Sequence, residues 1–137
     1  MKKGDLIFVY GTLRHGERAD LSRKASNFGV VYISIDEING KMYHFGAFPG
    51  VKASAGEFNP DNPTVFGEVF LATNTSIMAV LDAYEGYPNL FQRLQTMTRG
   101  GRLVWVYVYP HPTNADQLIE GGDWCRNRQL NVNQRMM

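Results

Sequence analysis

The chain has 137 residues, 44% apolar and 20% charged, the make-up of one globular domain over 1–137 that needs neither disulfide nor structural metal to fold. Lys plus Arg number 14 and Asp plus Glu 13, a formal charge of +1, which argues against non-specific nucleic-acid or anionic-membrane binding. The single Cys125 excludes an internal disulfide and a cysteine zinc site, and apolar runs of about seven residues fall short of the ~20 of a membrane span.

Met1-Lys2-Lys3 runs into Gly4-Asp5 and not into an apolar signal core, so a soluble protein of the reducing cytoplasm is expected. Leu6-Ile7-Phe8-Val9-Tyr10 is a β-rich run stopped by Gly11, and its unbroken apolarity predicts burial on both faces. A short polar helix is predicted over 17–25. A second strand is predicted over 29–38, followed by Asn39-Gly40, a type I′ hairpin signal leading into 41–45. Asn59-Pro60-Asp61-Asn62-Pro63-Thr64 reads as an exposed loop, and 65–72 as a further strand.

A helix is predicted over 75–85. Asn74, Thr75 and Ser76 are cap candidates, Ile77, Val80, Leu81 and Tyr84 share a face, and Gly86 stands where a terminating glycine belongs. Residues 91–98 and 103–109 flank Arg99-Gly100-Gly101-Arg102 as a hairpin. In its second arm, Leu103, Trp105, Tyr107 and Tyr109 alternate with Val104, Val106 and Val108, so both faces are apolar and a central strand is expected. Residues 129–137 show no period and read as a loose tail. The fold class is α+β, with a small mixed, mostly antiparallel sheet. So many strands in so short a chain predict a β-barrel-like closure, with flanking helices.

Two segments can carry chemistry. Tyr10-Gly11-Thr12-Leu13 ends a buried strand at a glycine, where successive N–H groups can cradle a carboxylate or an oxyanion; on the residues alone a plain strand-ending turn is the commoner reading. Glu85 projects beside Leu81 at the edge of the helix's apolar stripe, one turn after Asp82 and close to Tyr84, Tyr87 and Pro88. A carboxyl held against such groups has its charged form disfavoured and its pKa raised, as a group that takes and returns a proton requires; a solvated helix-end Glu is the alternative. His15, His44 and His111 share no metal spacing, the serines lie in no nucleophile elbow, and Cys125 beside Trp124 reads as a packed side chain. No metal or cofactor is expected. Trp105, Tyr107 and Tyr109 suit a core, a pocket wall or a dimer face, and a monomer or small homo-oligomer is expected.

Five ordered blocks across residues 6–124 resemble the gamma-glutamylcyclotransferase-like superfamily. They are Phe8-Val9-Tyr10-Gly11-Thr12-Leu13-Arg14; Gly40-Lys41-Met42-Tyr43 with Phe48-Pro49-Gly50; Val65-Phe66-Gly67-Glu68-Val69-Phe70; Leu81-Asp82-Ala83-Tyr84-Glu85-Gly86-Tyr87-Pro88 with Arg93; and the 105–109 strand followed by Gly122-Asp123-Trp124. The resemblance implies a compact barrel-like mixed fold. It also implies a substrate pocket at Tyr10, Gly11, Thr12 and Leu13, with Tyr43, Pro49, Gly50 and Phe91, and Glu85 as the catalytic acid/base. Members cyclise a gamma-glutamyl group to 5-oxoproline and release an amine. Phe91 stands where the family often has Tyr, so no hydroxyl is offered there.

The chemistry suits these residues. The substrate carries its own nucleophile, and ring closure within one bound molecule exploits effective molarities of roughly 10⁵ M or more. One carboxyl can serve as base and then acid, so no metal, nucleotide or nucleophilic Ser or Cys is needed. Two alternatives stand beside it: a non-catalytic module binding a small ligand in the same pocket, and a hydrolase using water as nucleophile.

Overall fold

In the computed structural model, which describes residues 4–11, 13–14, 29–74 and 76–124, the first apolar run becomes strand β1 (Leu6–Val9). It is covered on both edges. On one side runs β5 (Thr64–Ala72), antiparallel, with Leu6 opposite Leu71 and Val9 opposite Glu68; on the other runs β7 (Leu103–Val108), parallel, with Leu6 opposite Val104. Added outside these are β2 (Val30–Asn39), against β5, and β6 (Gln92–Met97), the antiparallel hairpin partner of β7, giving the order β2-β5-β1-β7-β6. A smaller sheet has the order β4-β3-β8, from β3 (Lys41–His44), β4 (Pro49–Lys52) and β8 (Leu118–Ile119).

The pleat sorts the core into two layers. Phe8, Val69, Val104 and Val106 face Met42, Val51 and Ile119 of the smaller sheet. Ile7, Val9, Phe70 and Tyr107 face the helix α1 (Ile77–Glu85), which contributes Ile77 and Leu81. The central strand expected at 103–109 is thus found, with its valines on one side and Tyr107 on the other. Tyr107 is buried against the helix and Trp105 donates to Asp5 Oδ2 at 3.3 Å, while Leu103, on the same face, is exposed.

Two expectations are corrected. Asn39-Gly40 makes no hairpin: β2 pairs with β5 and β3 with β4 and β8, so the dipeptide hands the chain from one sheet to the other. A type I′ turn needs positive φ at both positions, and neither residue has it. Asn39 instead accepts from the Asn59 N–H (2.7 Å) and donates to the Asn59 carbonyl (2.8 Å), while the Gly40 N–H donates to Pro63 O (3.0 Å). The sheet is also not closed into a barrel. Its edges β2 and β6 share no ladder; they meet only through the hairpin turn, where the Arg99 N–H donates to Glu37 O (2.9 Å) and Asp36 accepts from the Gly100 N–H (3.0 Å) and Arg102 Nη1 (3.2 Å). Among the described residues α1 is the one α-helix, joined by a 3-10 turn at Ala115–Gln117. The helix expected over 17–25 and the tail over 129–137 lie outside the described residues, as do Thr12, His15 and Cys125.

Candidate active site

β1 and α1 converge on one cavity of about 260 Å³. Its walls include Val9, Tyr10, Gly11 and Leu13 at the end of β1, Leu81, Tyr84 and Glu85 from the end of α1, and Phe48, Pro49, Leu90, Phe91 and Tyr107. The glycine turn and the helix-end glutamate, far apart in the chain, therefore line one space. Helix α1 stops after Glu85 because Gly86 takes φ +66°, its N–H and that of Tyr87 returning to the carbonyls of Ala83 and Asp82.

Gly11 is required by close approach. A Cβ there would stand 2.6 Å from Pro49 Cγ, and Pro49 is also the first residue of β4. The turn is closed by the Arg14 N–H donating to Gly11 O (3.0 Å). The Arg14 side chain then reaches Asp123 Oδ1 at 3.0 Å and Glu68 Oε2 at 4.0 Å. The Arg of the first block, the Glu of the third and the Asp of the fifth thus hold the glycine turn in place. Sequence reading missed this; the only signal was that all three recur as charged residues inside otherwise apolar blocks.

Glu85 and Asp82 sit one helical turn apart with different surroundings. Asp82 is clamped by Arg93, with Nε on Oδ1 at 3.1 Å and Nη2 on Oδ2 at 3.3 Å, and it accepts the Tyr107 hydroxyl at 2.5 Å. Arg93 lies over the Tyr87 ring (4.3 Å) and near that of Trp105 (5.5 Å). Glu85 is half-buried, and no hydrogen bond among the described residues engages its carboxyl. Burial alone raises its pKa from 4.5 to about 7. The neighbouring carboxylate anticipated as a second cause is neutralised by Arg93. Burial raises the pKa of both Tyr10 and Tyr107, assisted at Tyr10 by the negative charge on Glu85 and at Tyr107 chiefly by Asp82, which accepts its hydroxyl. Those hydroxyls face inward: Tyr10 donates to Tyr107 O (2.7 Å) and Tyr107 donates to Asp82.

Of the residues proposed from the sequence, Tyr10, Gly11, Leu13, Pro49, Phe91 and Glu85 line the cavity. Tyr43 and Gly50 do not. They are cross-strand partners in β3 and β4, and Gly50 is packed beneath Phe45 and Tyr109. Phe48, Tyr84 and Leu90 add to the wall without having been singled out as binding residues, Phe48 being visible only as the residue before Pro49-Gly50, and Tyr107, read as core, pocket wall or dimer face, lines it too. His111 donates from Nε2 to Asn89 O (2.7 Å), and neither it nor His44 lines the cavity.

A family model described as "Gamma-glutamyl cyclotransferase, AIG2-like" matches residues 7–126. The chain belongs to this family. Gamma-glutamylcyclotransferase family protein YtfP of Escherichia coli (strain K12) is 37% identical over 119 residues, 86% of this chain and 94% of that protein. The gamma-L-glutamyl-butirosin B gamma-glutamyl cyclotransferase of Niallia circulans is 31% identical over 140 residues, 89% of this chain and 76% of that protein. In fold, the chain is similar to an AIG2-like protein from Mus musculus, with a TM-score of 0.69 at 17% identity over 90% of this chain and 89% of the other. Membership of the AIG2-like family makes the protein one of an enzyme family. Among the described residues no helix is long and apolar enough to cross a membrane.

Proposed function

We propose that this protein cyclises a gamma-glutamyl amine or peptide to 5-oxoproline with release of the amine, Glu85 serving as base and then acid. The observation that carries this reading is a half-buried carboxyl, with a pKa near 7, lining the same cavity as the Gly11 turn. In the proposed sequence, the substrate α-ammonium gives a proton to the Glu85 carboxylate, and the freed amine attacks the γ-carbonyl carbon. Backbone N–H groups at Gly11 and Leu13 bind the substrate carboxylate or the oxyanion. Glu85 protonates the departing nitrogen, the original C–N bond breaks, and the ring nitrogen's second proton passes through Glu85 to the released amine, which leaves as an ammonium ion.

The raised pKa favours acid/base work over a binding-only module, in which a carboxyl of ordinary pKa would suffice. The test is incubation with gamma-glutamyl dipeptides and gamma-glutamyl-ε-lysine, with 5-oxoproline followed by mass spectrometry. Glu85→Gln is expected to lower turnover by about 10²–10⁴. Turnover undiminished in that variant refutes the role of Glu85. Free glutamate in place of the lactam identifies a hydrolase instead.

A further inference from the structure

We propose that the leaving group is a small apolar amine, alkyl or aryl, received by a wall of Phe48, Tyr84, Leu90 and Phe91. The inference rests on the cyclotransferase reading of the same cavity. Its first support is the build of the wall. Phe48 and Phe91 stand edge to face with centroids 6.2 Å apart, and both are backed from behind: Phe91 by Tyr109 at 5.8 Å, Phe48 by Phe45 at 5.6 Å, and Phe45 and Tyr109 lie 4.4 Å apart. Four rings packed on one another form a fixed hydrocarbon surface and offer an incoming group no hydroxyl at Phe91.

The second support is where the cavity opens. Tyr84 and Leu90 line it yet are each 42% exposed, so they border its mouth, through which a released amine departs. The substituent of the bound amide lies at this mouth until the C–N bond breaks, and apolar walls bury an apolar substituent favourably while giving a carboxylate no partner in exchange for its water. The third is electrostatic. Among the described lining residues Glu85 alone carries a formal charge. A leaving amino acid would bring its own carboxylate beside Glu85 in a poorly hydrated space, where like charges repel strongly. A leaving diamine would hold Glu85 ionised through its second ammonium and so oppose the step in which Glu85 takes up a proton. A neutral alkyl or aryl group meets neither obstacle. A cavity of about 260 Å³ lies just below the ~300–1,000 Å³ range of ligand sites, which fits a glutamyl group with a short amine.

The experiment compares kcat/KM for gamma-glutamyl-n-butylamide and gamma-glutamyl-anilide with that for gamma-glutamyl-glycine and gamma-glutamyl-ε-lysine, scoring 5-oxoproline. The apolar amides are expected to be preferred by about tenfold or more, the scale on which a hydrophobic pocket discriminates. Leu90→Lys, at the exposed rim, is expected to narrow the preference over gamma-glutamyl-glycine. Equal or reversed preference overturns the inference and leaves cyclisation standing. An unchanged ratio in Leu90→Lys overturns the role given to the mouth. Absence of lactam from every amide removes the cyclotransferase reading and this inference together.

Discussion

Glu85→Gln is expected to stabilise the protein at the pH where it abolishes turnover. The folded pKa of Glu85 is about 7 against an ordinary 4.5, so between these values the native state holds a proton that the unfolded chain has lost. The native state then binds more protons than the unfolded one, and stability falls as pH rises through this window. Above pH 7 the whole cost of an ionised, poorly hydrated carboxyl is present. A shift of this size corresponds to about 3 kcal/mol, and residual contact with water brings the expected figure to about 1–3 kcal/mol. Gln keeps the shape without the charge. Urea unfolding of both proteins at pH 4 and pH 8 is therefore expected to show coincident midpoints at pH 4 and a more stable variant at pH 8, with a melting temperature higher by roughly 3–10 °C. Equal stability at pH 8, or a gain of the same size at pH 4, refutes the claim that desolvation sets this carboxyl apart.

Four further outcomes are expected. The kcat/KM for a gamma-glutamyl substrate rises with pH through about 7, tenfold per unit on the acid side, because only ionised Glu85 accepts a proton; a pH-rate profile flat from 5 to 8 contradicts this. Gly11→Ala forces a Cβ to 2.6 Å from Pro49 Cγ and displaces the turn, with turnover expected to fall about 10²-fold while circular dichroism stays native. Asp82→Asn weakens the grip of Arg93 and of the Tyr107 hydroxyl, with an expected loss of about 1–3 kcal/mol in urea unfolding; Arg93→Lys is expected to destabilise as well, since an ammonium cannot grasp both carboxylate oxygens.

Local signals carried much of this molecule. The alternation of Leu103 to Tyr109 placed β7 centrally, Gly86 ended α1 as expected, and the spacing of Glu85 from Leu81 brought it to the cavity wall. Relations across the chain were not legible. Asn39-Gly40 has the composition of a hairpin, but its backbone is set by Asn59 and Pro63, which capture its polar groups from a distance. The barrel expectation counted six strands where the described residues form eight, β4 and β8 being unforeseen, and it failed on how they divide between two sheets. Asp82 was read as a carboxylate acting on Glu85, because nothing local to the helix shows that Arg93, on β6, will cancel it. Arg14, Glu68 and Asp123 form one cluster that no periodicity joins.

The parallel pairing of β1 with β7 has a consequence for biosynthesis. Strand β1, apolar throughout, leaves the ribosome before the other strands, while Leu71 and Val104, the neighbours of Leu6, are translated far later. Until they arrive, β1 has two bare edges and no partner, so the nascent chain is prone to sticking and to chaperone capture. The Gly11 turn, continuous with β1, depends on that late registration, so the cavity it lines is complete only once nearly the entire domain has been made.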